Sequence, residues 1–206
     1  MLFTEDKISA LRERVALYMG GKRFAHTLGV ENMAVRLGEI FMPERVSELR
    51  VAAILHDVSK EFDIDEQLSL INLCNRIDKK QRCVPQALHS FSAVAVILND
   101  FSEYASDDIL DAVMCHTLGD ENMSLFSEII FLSDYIEDGR EYLESAHVRT
   151  VLFDELGCSL SFEDKIRALH RATVLSIDLT LKSLEKRGLL PDERSIKTKK
   201  AFEALI

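Results

Sequence analysis

The sequence has few of the residues that interrupt regular structure, with 8 Gly, 3 Pro and no Trp among 206 residues. A turn-rich β-fold needs Gly and Pro at many positions, whereas long helices need them only at their ends. Hydrophobic residues make up 47% of the chain and charged residues 29%. This composition predicts an all-α protein with short loops and a substantial apolar core.

The four cysteines are too scattered to form a metal or disulfide framework. Cys74, Cys83, Cys115 and Cys158 include no C-x-x-C pair, so we expect free thiols that are buried or incidental. No stretch reaches the roughly 18 apolar residues of a membrane span, and the N-terminus lacks a basic segment followed by an apolar one. We therefore expect a cytoplasmic protein with no membrane partner.

Basic residues are outnumbered by acidic ones, 25 against 35, which gives a formal net charge of −10. A chain of this charge repels a polyphosphate backbone at long range, so a nucleic-acid partner is disfavoured. A small phosphorylated substrate would need local cations to overcome the same repulsion. Bound metal ions or a few well-placed Arg and Lys side chains are the available sources.

Apolar residues recur at helical spacing along most of the chain, as in Phe24, Leu28, Met33, Leu37 and Phe41. No repeat or flexible linker divides the sequence, so we expect a single domain over residues 1–206 with about eight or nine helices. Turn and capping residues predict the helix ends. They are Gly20-Gly21, Pro43, Asp63, Pro85, Ser106, Ser124, Gly139, Ser161 and Gly188.

The dipeptide His56-Asp57 ends the apolar run Val51 to Leu55. Two polar side chains at the end of a buried helix need hydrogen-bond partners or a metal ion. One such residue is usually structural, but four more ligand-capable side chains lie on or beside other apolar helical segments, namely His26, His89, His116 and Asp134. Together they predict a metal site in the core of a helical bundle. His147 and His170 fit no such pattern and are expected to be structural.

His26, His56-Asp57 and Asp134 follow the H…HD…D order of the HD phosphohydrolase superfamily, which the chain resembles from residue 22 to about residue 140. Within it, four segments resemble the bacterial YqeK family, which cleaves diadenosine tetraphosphate symmetrically to two ADP. They are RFAHTLGV from residue 23, LHDVSK from residue 55, HTLG from residue 116 and DYIEDGR from residue 134. The resemblance implies an HD-domain helical bundle on which the C-terminal helices pack.

The resemblance also implies a divalent transition metal, as one or two ions. Imidazole and carboxylate ligands without thiolate favour iron, with manganese as the alternative. Asp57 is the natural bridge between two ions, which would activate water for attack on phosphorus and neutralise the phosphoryl charge. The implied metal ligands are His26, His56, Asp57, His89, His116 and Asp134.

Asp57 and Lys60 are the expected catalytic residues, Lys60 by contacting a phosphoryl oxygen or the attacking water. Lys60 is also expected to bind substrate, together with Arg23 and Arg140 as phosphate ligands, Thr117 and Gly119 beside His116, and Tyr135 as a stacking partner for a base. Ser90-Phe91 stands where the YqeK family usually has Gly-Pro. We therefore expect narrower access to the site beside His89.

Two other functions remain open from the sequence. An HD nucleotidase or phosphodiesterase would act on a different nucleotide, and substrate profiling separates it from a tetraphosphatase. A nucleotide-sensing module would bind without turnover, but such a module would be free to lose Lys60 and the six ligands. A homodimer is an open alternative to a monomer.

Overall fold

The computed structural model describes residues 3–77, 84–158 and 161–206. These ranges contain ten α-helices, three short 3₁₀ helices and no strand. The helices are α1 Glu5–Val15, α2 Gly21–Phe41, α3 Val46–Leu55, α4 Ile64–Leu73, α5 Leu88–Asp100, α6 Asp107–Cys115, α7 Leu125–Ile136, α8 Leu143–Leu156, α9 Phe162–Lys186 and α10 Glu193–Glu203. The all-α prediction is confirmed, with slightly more helices than the expected eight or nine.

Side-chain caps begin several helices where the sequence predicts. The Asp63 carboxylate accepts from the Glu66 amide at 2.8 Å, and Ser161 Oγ accepts from the Asp164 amide at 3.1 Å. Ser106 and Ser124 cap α6 and α7 in the same way. Each cap satisfies a backbone N–H that has no partner inside its helix.

Three helices form the centre of the bundle because they are apolar almost all round. Residues 51–55 of α3 are fully buried, α5 is buried from Leu88 to Ile97, and α7 is buried from Phe126 to Ser133. Helix α2 packs on α3 and α7, and α6 packs on α3, α5 and α7. Helices α8 and α9 both contact α7, and α10 packs on α9.

This arrangement brings the polar residues of five helices to one end of the bundle. His56 and His116 directly follow the last residues of α3 and α6, and Asp134 lies in the last turn of α7. His26 and His89 lie in the first two turns of α2 and α5. Residues far apart in sequence therefore meet at one place.

No helix within the described ranges has the length and apolar character needed to cross a membrane. Cys74 is buried, Cys115 is partly buried and Cys158 is exposed, all three as free thiols. Cys83 lies outside the described residues.

Candidate metal centre and substrate cleft

Five of the six predicted ligands form two overlapping groups. His26, His56 and Asp134 form one group, and His56, Asp57 and His116 form the other. In the first group, His26 Nε2 lies 3.0 Å and His56 Nε2 3.8 Å from Asp134 Oδ1. The sixth residue, His89, has its Nε2 3.1 Å from His116 Nε2.

The two oxygens of Asp57 face different histidines. Oδ1 lies 3.4 Å from His89 Nε2 and 3.5 Å from His116 Nε2. Oδ2 lies 3.5 Å from His56 Nε2 and 4.0 Å from His26 Nε2. A carboxylate oriented in this way can contact a cation on each side.

Hydrogen bonds at Nδ1 fix the ring orientation of three histidines. His56 Nδ1 donates to the Ala53 carbonyl at 2.7 Å, and His116 Nδ1 donates to the Val113 carbonyl at 2.6 Å. His26 Nδ1 lies 3.1 Å from Glu137 Oε1. With the proton on Nδ1, each Nε2 keeps its lone pair for a metal ion.

Buried atoms without partners show that the site fits a cation. His26 Nε2, His56 Nε2 and Asp57 Oδ1 are inaccessible to solvent and make no hydrogen bond. Unpartnered polar atoms are costly to bury in an apolar core. All three are electron-pair donors, with the two histidine nitrogens on the Oδ2 side of Asp57 and Oδ1 on the other side, so one or two divalent ions would satisfy them.

The electrostatics of the site favour ionised carboxylates. Burial alone would raise the pKa of Asp57, but His56 and His116 outweigh it and hold this pKa well below its ordinary value. Asp134 behaves in the same way, because Arg140 and His26 overcome the effect of burial and lower its pKa. Burial, followed by the charge of His116, lowers the pKa of His89 to about 2. Anionic carboxylates and a neutral imidazole are the forms that bind metal.

Three cationic side chains surround the ligands. Arg23 Nη1 lies 2.9 Å from Asp57 Oδ2, and Arg140 Nη2 lies 2.5 Å from Asp134 Oδ1. Lys60 Nζ lies 2.8 Å from His89 Nε2, and burial lowers its pKa. The two arginines therefore contact ligand carboxylates in addition to any phosphate they bind.

A cleft of about 790 Å³ opens beside the His26 half of the site. Arg23, Arg140 and the exposed Lys22 supply its cationic groups, and Tyr142 lines it with 68% of its surface exposed. Lys22 and Tyr142 are not among the site residues predicted from the sequence. Both adjoin motif residues, Lys22 before Arg23 and Tyr142 two residues after Arg140, and that proximity is the signal that could have found them.

The other predicted substrate residues lie in different surroundings. Thr117 Oγ1 is 3.0 Å from both His89 Nε2 and His116 Nε2, so it belongs to the ligand cluster. Gly119 is buried against α10, where a Cβ would lie 2.6 Å from Thr198 Cγ2. Tyr135 packs against the core and does not line the cleft. The roles predicted for Gly119 and Tyr135 stay predictions.

The histidines predicted to be structural lie away from the cluster. His147 is exposed on α8. His170 Nδ1 lies 3.0 Å from the Glu128 carboxylate, and its ring meets the Phe202 ring edge-on.

The sequence matches the model of a known protein family. A family model described as HD domain matches residues 23–139, which contain all six predicted ligands. The chain belongs to the HD-domain family.

Within the HD-domain family, the chain is similar to curated relatives that share one name. A protein of Bacillus subtilis strain 168 is 30% identical over 156 residues, which cover 76% of this chain and 81% of the relative. A protein of Halalkalibacterium halodurans is 32% identical over 130 residues, which cover 62% of this chain and 67% of the relative. Both are named symmetrical bis(5'-nucleosyl)-tetraphosphatase.

A solved structure extends the likeness to the whole chain. It is a predicted HD superfamily hydrolase from Clostridium acetobutylicum, described as involved in NAD metabolism, with 26% identity. The match has a TM-score of 0.70 and covers 99% of both chains. The chain is thus a metal-binding hydrolase with the HD fold.

Ser90 and Phe91, where the chain differs from the YqeK pattern, do not line the cleft beside His26. Ser90 is fully buried and its Oγ donates to the Ala87 carbonyl at 2.8 Å. Phe91 is 1% exposed, and the Arg194 guanidinium lies 4.8 Å from its ring centroid. Both side chains are buried, and their effect on access to the site beside His89 stays a prediction.

Proposed function

We propose that this HD-domain protein hydrolyses diadenosine tetraphosphate symmetrically to two molecules of ADP. The names of the curated relatives support this substrate. One observation of the structure carries the proposal: His26, whose Nε2 has no hydrogen-bond partner, lines a cleft that also holds three basic residues. These are Lys22, Arg23 and Arg140, beside the carboxylates of Glu61, Glu137 and Glu141. The three basic side chains are the groups of this cleft that can bind a substrate with several phosphates, which the net charge of −10 would otherwise repel.

In this proposal, His26, His56, Asp57, His89, His116 and Asp134 hold one or two divalent ions, with iron as the first candidate and manganese as the second. The bound metal supplies Lewis acidity and neutralises charge on the phosphoryl group. Lys60 and Thr117 lie at the His89–His116 side of the cluster, where they donate hydrogen bonds to the reacting phosphate. Arg23, Arg140 and Lys22 bind the remaining phosphates along the cleft.

Tyr142 is the proposed contact for one adenine. Its side chain is exposed at the cleft, follows Arg140 closely in sequence and presents a ring on which a base can stack. Because every base has a π-face, this contact would favour nucleotides over inorganic polyphosphate without selecting strongly among bases.

The test is a substrate panel with the protein loaded separately with iron, manganese and zinc. It contains diadenosine tetraphosphate, mononucleotides, a cyclic dinucleotide and NAD, the last because of the description of the Clostridium neighbour. We expect the tetraphosphate to be the preferred substrate and ADP its only nucleotide product. A mixture of ATP and AMP would contradict symmetrical cleavage, and preference for another compound would contradict the substrate.

Two variants link turnover to the metal site. Asp57→Ala should remove both bound metal and turnover, because Asp57 faces both histidine pairs. His147→Ala should change neither, because His147 is exposed on α8. Metal analysis and the product assay on both variants check the ligand assignment.

A further inference from the structure

Glu137 is a buried carboxylate, 3% exposed, that belongs to none of the predicted site residues. It directly follows the last residue of α7. Its Oε1 lies 3.1 Å from His26 Nδ1, and its Oε2 accepts from the Gly139 amide at 2.6 Å. The carboxylate therefore joins α2 to the loop after α7.

The position of His26 explains why it needs this partner. His56 and His116 lie at the C-terminal ends of their helices, where backbone carbonyls have no helical N–H partner and can accept from Nδ1. His26 lies inside α2, where the nearby carbonyls accept the hydrogen bonds of the helix itself. Its Nδ1 thus requires an acceptor from another part of the chain.

Gly29 makes room for that acceptor. A Cβ at position 29 would overlap Glu137 Oε2 and lie 3.0 Å from Glu137 Cδ. The residue is one helical turn from His26, on the same face of α2. Only a residue without a side chain allows the carboxylate to approach the backbone of α2 this closely.

The backbone of Glu137 is also held in place. Arg149 Nη1 of α8 donates to the carbonyls of Ile136 and Glu137 at 2.8 and 2.7 Å. Glu137 is thus held at its carboxylate by α2 and Gly139 and at its backbone by α8. Such a fixed acceptor can hold one orientation of an imidazole ring.

We propose that Glu137 is a positioning residue that sets the tautomer and orientation of His26, and through His26 the metal affinity of the site. A carboxylate at Nδ1 keeps the proton there and leaves Nε2 as an electron-pair donor for the metal ion. Gly29 and Gly139 are the structural conditions for this contact. The inference rests on the metal site of the proposed function and does not depend on the substrate.

The first experiment measures Mn²⁺ affinity by calorimetric titration of the metal-free full-length chain. Glu137→Ala should weaken binding by about 10–100-fold, the usual effect of removing such a partner. Glu137→Gln keeps an acceptor for His26 but places an amide N–H against the Gly139 amide, so its affinity should lie between those of Glu137→Ala and the unmodified chain. Wild-type affinity in Glu137→Ala would overturn the proposal.

The second experiment moves Glu137 without changing it. Gly29→Ala displaces the carboxylate and leaves every ligand in place, so it should weaken Mn²⁺ binding as well. Two glycines of the same helix provide matched controls. Gly21→Ala meets no atom within 4 Å, and Gly38→Ala meets Leu49 Cδ1 at 2.7 Å in the core.

Neither control should change Mn²⁺ affinity, although Gly38→Ala should lower the free energy of unfolding. If Gly38→Ala weakens metal binding as much as Gly29→Ala does, the effect is general destabilisation and the proposal is wrong. Nitrogen-15 NMR of the metal-free protein supplies an independent measurement, because the Nδ1–H form of His26 should be lost in Glu137→Ala and persist in Gly38→Ala. A wild-type tautomer in Glu137→Ala would contradict the proposal.

The outcome is separate from that of the substrate panel. Weaker Mn²⁺ binding in Gly29→Ala together with no cleavage of diadenosine tetraphosphate would support the role of Glu137 and reject only the substrate. Cleavage of the tetraphosphate with unchanged Mn²⁺ affinity in Gly29→Ala would support the substrate and reject the role of Glu137.

Discussion

At the scale of single residues, the orientation of Asp57 determines how the site is divided. Its Oδ1 faces His89 and His116, and its Oδ2 faces His56. The division follows from its place directly after His56 at the end of α3, where the chain leaves the helix. One carboxylate can therefore serve both halves of the cluster.

Lys60 is expected to act on the reacting phosphate rather than on the metal. Its Nζ contacts His89 from a half-buried position. We expect Lys60→Ala to keep bound metal near the wild-type level and to lower kcat and kcat/KM together, by about 10²–10³-fold, the typical effect of losing one preorganised donor. Metal analysis and steady-state kinetics measure both quantities.

Lys22 provides the comparison for Lys60, because it is exposed in the cleft and contacts no ligand in the described structure. Lys22→Ala should mainly raise KM, since a residue that holds a remote phosphate binds ground state and transition state alike. Loss of metal in Lys60→Ala, or normal turnover at saturating substrate, would reject the role assigned to Lys60.

Glu128 lies outside the metal site, and its burial predicts that the stability of the fold depends on pH. The carboxylate is 1% exposed and accepts from Thr173 Oγ1 at 2.8 Å. Burial raises its pKa above the ordinary value, against the smaller opposing effect of His170. A carboxyl with a raised folded pKa binds its proton more tightly when folded, so its contribution to stability falls as pH rises from about 4.3 through the raised pKa.

Glu128→Gln removes this titration. Relative to wild type, its free energy of unfolding should increase as pH rises from about 4.3 through the raised pKa of Glu128. Urea unfolding with chelator present in both samples measures the difference and removes the contribution of bound metal. Glu185→Gln, at an exposed position of α9, should show no such trend. Parallel pH profiles for Glu128→Gln and wild type would contradict the prediction.

The sequence predicts site residues well where their chemistry follows from a motif. His26, His56, Asp57 and Asp134, which follow the H…HD…D order, meet in ligand groups that also include His116 of the HTLG segment. The role of Glu137 could not be found in this way. Its contact with His26 depends on how the loop after α7 lies against α2, and no local spacing encodes a contact between distant helices.

At the scale of helices, the ends were the most predictable feature. Each of the nine predicted breaks separates two of the α-helices in the described ranges, because Gly, Pro and capping side chains act within a few residues. The role of Gly119 was harder to predict. The sequence predicts that Gly119 contacts substrate, and the structure places α10 directly against this residue.

Gly119 should be intolerant of a side chain for two reasons. Its φ is +75°, a conformation that strains other residues, and a Cβ would lie 2.6 Å from Thr198 Cγ2. Gly188 has a similar φ of +66° with nothing within 4 Å. We expect Gly188→Ala to cost about 1 kcal/mol of unfolding free energy and Gly119→Ala clearly more, about 2–4 kcal/mol.

Denaturant unfolding of the two alanine variants measures this difference. Adding Thr198→Ala to Gly119→Ala should recover part of the loss, because it removes the two atoms nearest the new Cβ. An equal loss of unfolding free energy at positions 119 and 188 would show that only the backbone conformation matters. The contact of Gly119 with α10 would then have no effect on stability.

At the scale of the whole molecule, bound metal should act as a cross-link among helices. Its predicted ligands come from α2 and α7 and from the ends of α3, α5 and α6. A ligand that binds only the folded state stabilises it by about 2.7 kcal/mol at a free concentration 100 times its Kd. We therefore expect chelation to lower the Tm of the wild-type chain.

Thermal unfolding with Mn²⁺ and with chelator measures this shift. Asp57→Ala, which should not retain the ion, provides the control and should unfold at the same temperature in both solutions. A wild-type Tm that does not respond to chelator would mean that these side chains bind no metal with useful affinity.

The wide spacing of the ligands along the chain has a consequence for folding kinetics. His26 and Asp134 meet only when α2 and α7 have docked, and neither helix carries a complete set of ligands by itself. The ion can therefore bind only after most of the bundle has formed, late on the folding pathway. Interactions absent from the transition state slow unfolding and leave the refolding rate unchanged. Metal should thus lengthen the lifetime of the folded chain without helping it to fold.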